Sequence, residues 1–281
     1  MPHVPYPSGD IGVYKKTSYD RANDLDFQFF ADVQTSNECP EFNGYNAKLC
    51  REQGHVLKPK TKVVYLPLID KPPADPSTIM KAMLNAKAVT EGTGQEFIIF
   101  TADQQLYRIA IHVFWENQAL FQNFYLRLGG MHLLMSFIGS IGTLMAESGI
   151  VEVLSAAFGG VLKMLTGKKF PENIRALRML VEELLRPVFD RNELETMDDL
   201  QKALEEASNQ CRTAKLWVNC LIRPIFTVMK YVREKREADW PLHIACVEEM
   251  ISLFLAAGQA HYARYSLYYL RSMEAMPANV L

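Results

Sequence analysis

Asp103 and His132 occupy equivalent places in two successive sequence blocks. FIIFTAD carries a short apolar run into Asp103, and NFYLRLGGMH carries a second one into His132, each directly before a helical pattern. At the carboxyl end of a buried strand, a carboxylate such as Asp103 offers a hard oxygen ligand for Mg²⁺ or Mn²⁺. Two such acids can hold the metal pair used in phosphodiester cleavage. The same aspartate at the same place can instead accept backbone N–H bonds and cap the helix that follows. His132 can face the same crevice as Asp103, or serve as a hydrogen-bonded group at a helix start. Further acids are available late in the chain at Glu237, Asp239 and Glu249. The run YVREKREADW around the first two also fits a solvated helix end.

A second set of residues is basic. GKKFPENIRALRMLVEELLR places Lys168 and Lys169 before a helix whose exposed face is expected to carry Arg175, Arg178 and Glu182. No GxxxxGK accompanies them and no strand leads in, so a P-loop is unsupported. Residues 161–236 hold more Lys and Arg than Asp and Glu, which is compatible with a local nucleic-acid surface. The whole chain has a formal net charge of -2 and a pI near 6.3, so it lacks the global basic footprint of a nucleic-acid binder. Tyr262, Tyr265 and Tyr269 fall on one side of a late helix, where core packing and base stacking are competing uses.

Stepping outward, the elements that must position these groups follow from the apolar pattern. KVVYLPLI, Lys62 to Ile69, reads as a strand, and Asp75 or Ser77 can cap a helix running from Pro76 to about Glu91. A strand over Glu96–Thr101, a helix from Gln104 to about Asn117, a strand over Asn123–Leu128 and a helix from about Met131 complete a β-α-β-α-β-α order. Crossover helices between strands imply a mainly parallel sheet. Residues 1–60 read as an irregular N-terminal arm with one apolar patch, FQFFADV; residues 61–148 form the α/β core, and residues 149–281 an all-helical region. Helices in that region are expected at 150–165, 171–187, 197–209, 212–237, 241–257 and 259–275.

The five cysteines show neither zinc spacing nor a disulfide pattern, as expected for free thiols in a reducing compartment. MPHVPYPSGD has no apolar core of a secretory signal. The charge-free stretch Leu133–Ala146 is too short for a bilayer, which takes roughly 20 residues. An intracellular protein without membrane attachment is the expectation.

TADQQLY, LRLGGMHLLMSFIGSIGTLMAESG, GKKFP with IRALRMLVEELLR, and the late READWPLH and HYARYSLYYLRSME together resemble an uncharacterised multicopy family of animal genomes associated with mobile elements. The resemblance spans about residues 40–277, with PEFNGYNAKL near its start. The order strand, Asp103, helix, strand, His132, helix, then a helical extension, is also similar to the ribonuclease-H-like core of Mutator-type transposases. That similarity implies an α/β fold with a partial ribonuclease-H-like core followed by a large helical region. It implies catalytic roles for Asp103, His132 and Glu237, with Asp103 binding Mg²⁺ or Mn²⁺, and a nucleic-acid surface at Lys168, Lys169, Arg175 and Arg178. A first acid would come from Asp24 or Asp26, in the poorly patterned arm, or from Asp70, at the end of a different strand. The resulting expectation is a transposable-element-derived, intracellular, nuclear protein with an inactive or incomplete transposase-like nuclease core and DNA as partner. The alternative is a non-enzymatic helical scaffold that binds protein partners or self-associates.

Overall fold

The computed structural model describes residues 11–35, 63–168, 170–274 and 276. These residues fall into two compact units. One holds residues 63–134 and 260–276; the other holds residues 11–35 and 135–259.

The first unit contains the sheet. Helix α2 (Pro76–Gly92) starts where Asp75 accepts a bond from the Ser77 amide at 2.7 Å, with Pro76 supplying a preset φ in the first turn. It buries Thr78, Ile79 and Met83. Strand β1 (Ile98–Ala102) pairs in parallel with β2 (Phe124–Leu128), Ile98 opposite Phe124 and Ala102 opposite Leu128. Between them α3 (Gln104–Glu116) buries Tyr107, Ala110, Ile111 and Val113, the helical stripe that its apolar spacing demands. The alternation along β2 buries Phe124, Leu126 and Leu128. Helix α12 (Ala260–Glu274) returns to this unit and sets Tyr265 and Tyr269 edge-on to Tyr107, at 6.3 and 6.4 Å between centroids. Trp115 Nε1 donates to the Tyr268 hydroxyl at 3.2 Å. The tyrosine stripe is therefore core packing.

The second unit is helical. Helix α4 (Gly130–Leu144) begins in the first unit and continues into the second. Its GSIG stretch lets the backbone of residues 165–167 lie directly against it. A Cβ on Gly142 would stand 2.1 Å from the Leu165 carbonyl oxygen, and one on Gly167, whose φ is +80°, 2.1 Å from that of Met135. Short helices α5 (Ile150–Ser155) and α6 (Val161–Met164) follow, then α7 (Phe170–Arg191) and α8 (Met197–Gln210), the latter opened by a Thr196/Asp199 capping box. Helix α9 (Arg212–Trp217) continues through a π turn, Val218–Ile222, into α10 (Arg223–Glu237). Pro224 has no N–H for the Cys220 carbonyl four residues earlier, which accounts for the widened register there. Helix α11 (Trp240–Ala256) closes the unit, with Asp239 capping the Leu242 amide at 3.0 Å.

Three expectations are corrected. Residues 63–69 of the KVVYLPLI segment form no strand; they carry no regular structure, with Val63, Val64, Tyr65, Leu66 and Leu68 exposed, so the sheet of the described residues has two strands. The supposedly irregular arm contains α1 (Ile11–Thr35), a 25-residue helix; residues 36–62 lie outside the described set. The helix expected at 150–165 is broken at Gly160, whose φ of 72° is left-handed. The coarse architecture, a small parallel sheet with its helices and a larger helical part, stands. No described helix is long and apolar enough to cross a membrane.

Candidate functional site

The parallel register brings the ends of β1 and β2 to one rim. Gly129 N donates to the Ala102 carbonyl at 2.7 Å, and a Cβ on Gly129 would lie 2.9 Å from that oxygen, so only glycine permits so close a crossing. Asp103 and the first turn of α4 are thereby neighbours in the fold. Asp103 has extended backbone, φ -63° and ψ 170°, and its Oδ1 accepts the Leu106 amide at 2.9 Å. The carboxylate is thus used as the N-cap of α3. His132 sits in the first turn of α4 with its side chain exposed.

Glu237 belongs to the other unit, where it ends α10 and pairs with Arg21 of α1. Among the described residues no three His, Cys, Asp or Glu side chains converge as a metal centre requires. Asp103 therefore lacks, among the described residues, the companion donors that a metal pair requires.

The basic set separates. Lys168 and Arg175 are exposed, while Lys169 lies outside the described residues. Arg178 and Glu182 are not on the solvent face assigned to them: both are buried, paired with one another, and the Arg178 guanidinium lies 5.4 Å from the centre of the Phe29 ring. An i,i+4 Arg–Glu pair looks like a surface feature in sequence; here α1 covers it.

The densest polar cluster was not anticipated as a cluster. It joins α1 to α10 and α11, and it gathers several acids that had been considered one by one. Asp26 is fully buried and receives Arg233 at 2.5 Å; Arg233 also donates to the Ala22 carbonyl at 2.9 Å. Glu249 accepts the Tyr19 hydroxyl and, at 2.8 Å, that of Thr227; Lys230 lies 3.6 Å from it and 3.7 Å from the centre of the Tyr19 ring. Asp239 accepts Ser18 and approaches Arg21 at 3.8 Å. Glu234, buried, meets His243 Nδ1 and Lys235, each at 2.7 Å.

Burial raises the Asp26 carboxyl against the pull of Arg233 and Lys230. Burial, followed by the Glu249 charge, drives the Tyr19 phenol far above its ordinary value. Each acid is held by a cation or a hydroxyl, so the arrangement fixes α1 on its neighbours. The sequence signal that could have revealed it is the spacing Tyr19, Ala22, Asp26, Phe29, Phe30, Val33, a helical stripe with an acid inside.

A family model matches the chain over residues 41–196 and again over 188–280, under the description Domain of unknown function (DUF8702). No curated protein and no solved structure matches it.

Proposed function

This chain belongs to the DUF8702 family, and we propose that it works as a non-enzymatic helical scaffold that binds protein partners. The observation that carries this reading is the exposed apolar run at residues 63–68. Val63 and Val64 are 67% and 70% exposed, Tyr65 92% and Leu68 100%. Water-facing apolar surface contiguous over several hundred Å² marks a contact site more often than a bare face. A mobile-element origin remains part of the proposal: the order of strand, Asp103, helix, strand, His132, helix supports descent from a transposase-like core. The capping use of Asp103 and the cation-paired acids support loss of its metal chemistry and, with it, of its DNA substrate.

The test replaces Tyr65 by a photo-crosslinking amino acid in cells, with Glu152 as an exposed control position. Discrete protein adducts specific to position 65, and weakened by Leu68→Asp, are expected. An adduct pattern identical to that from position 152 would overturn the scaffold reading. In parallel, the purified chain with Mg²⁺ or Mn²⁺ and linear or branched DNA is expected to cleave no more than Asp103→Asn does. Cleavage abolished by that substitution would restore the nuclease.

A further inference from the structure

The exposed apolar run and the free edge of β1 have complementary properties. β1 pairs along one edge only. Ile98 N donates to the Asn123 carbonyl at 3.0 Å and Gly129 N to that of Ala102, so Ile98, Phe100 and Ala102 turn their backbone groups toward β2. By the alternation of a parallel ladder, the amides and carbonyls of Ile99 and Thr101 point to the opposite edge, where no strand lies among the described residues. A two-stranded sheet is marginal, and an open edge invites a third strand. The same chain exposes a segment suited to that place. Val63, Val64, Tyr65 and Leu66 are mostly of the types that pack on a pleated surface, are held in no helix or strand of their own, and nearly match the five-residue length of β1.

We propose that a second copy of this chain completes the sheet: its Val63–Leu66 segment adds along the Ile99/Thr101 edge of β1, and the reciprocal contact forms across a two-fold axis. The inference rests on the scaffold reading and narrows the partner to the chain itself. Because each copy holds both a donor segment and a receiving edge, a single arrangement uses both twice and closes. The four exposed apolar side chains of Val63–Leu66 together give roughly a few hundred Å² per copy. Two segments with two receiving edges thus reach the roughly 1,200 Å² at which stable interfaces begin. Pro67 sets the limit of the ladder. It lacks an N–H, so the added strand ends there and its outer edge is blunted against further copies, as expected of a dimer and not of a fibre.

The experiment uses the full chain. Light scattering coupled to size exclusion, and sedimentation over a concentration series, are expected to give a dimer. The dimer dissociation constant should rise at least tenfold both in Val64→Lys/Tyr65→Lys, on the donor side, and in Thr101→Pro, on the receiving side. Mixing a tagged Tyr65→Cys chain with an untagged Thr101→Cys chain should give a disulfide between copies, above the background of the unsubstituted chains. A monomer at every concentration, a dimer unmoved by both variants, or a disulfide formed within a doubly substituted chain alone would overturn the inference. If the chain is monomeric while position 65 still crosslinks to other proteins, the dimer falls and the scaffold reading stands. If the adducts also vanish, both fall.

Discussion

Arg233 closes on Asp26 at 2.5 Å with both side chains excluded from water, and the same guanidinium reaches the Ala22 carbonyl one turn earlier in α1. The pair ties α1 to α10 through charge at the depth where a helix ordinarily presents only apolar groups. Truncating one partner strands the other charge in the interior, so Asp26→Ala is expected to cost about 3–5 kcal/mol. Replacing both, as Asp26→Leu with Arg233→Met, should recover most of that. Urea unfolding of the three variants measures it, and equal losses in the single and double variants would contradict the expectation.

Asp103 gives a second, smaller number. As a helix cap, its replacement by Ala should cost about 1 kcal/mol, whereas Asn, which caps as well, should cost little. A metal ligand would behave otherwise: Asn would retain stability yet lose divalent-ion binding. Thermal unfolding with and without Mn²⁺ separates the two roles, and a Mn²⁺-dependent rise in Tm present in the parent and lost in Asp103→Asn would favour the metal.

Two glycines, one in each unit, predict a contrast. Gly142→Ala places a methyl 2.1 Å from the Leu165 carbonyl oxygen, a backbone atom that cannot swing aside, and should cost roughly 1–3 kcal/mol or more. Gly94→Ala meets open space and carries only the left-handed backbone penalty at φ +71°, about 1 kcal/mol. Denaturation midpoints of the two variants should rank accordingly.

Alkali should loosen the protein through Tyr19. Its folded pKa is raised by burial and then by Glu249, from an ordinary value of 10.0. Above that value the unfolded chain releases the phenol proton while the folded chain retains it. The folded state then binds more protons, and stability falls as pH rises. The contribution is complete below about pH 10 and is lost above it. Tyr19→Phe should therefore show a shallower loss of stability in strong alkali, at the cost of about 1 kcal/mol near neutrality for the missing hydrogen bond. Parallel slopes for the two proteins would contradict this.

Periodicity located most of the later helices and both paired strands within a few residues, because apolar residues recur there at the spacing of the buried face: Tyr107, Ala110, Ile111 and Val113 in α3 show it clearly. It failed where the buried face is polar or the apolar face is wet. In α1 the stripe passes through Tyr19 and Asp26, whose partners lie more than two hundred residues away, so no local window shows why those side chains are inside. In Val63–Leu66 the residue types of a strand are present without a neighbouring edge to pair with, and pairing is a property of two segments. At the rim, both uses of Asp103 share one spacing; only the bond from the Leu106 amide reveals which one the backbone adopts.

The division of the chain into units has a temporal consequence. Residues 11–35 and 135–259 make up one unit, and the other is split around the second of these stretches, waiting for α12 to set Tyr265 and Tyr269 on Tyr107. On a ribosome, which delivers the chain from its N-terminus, the helical unit has all its segments before residue 260 emerges. The sheet, though its strands are made before most of the helical unit, is completed last, and during that interval it depends on whatever else shields its apolar face.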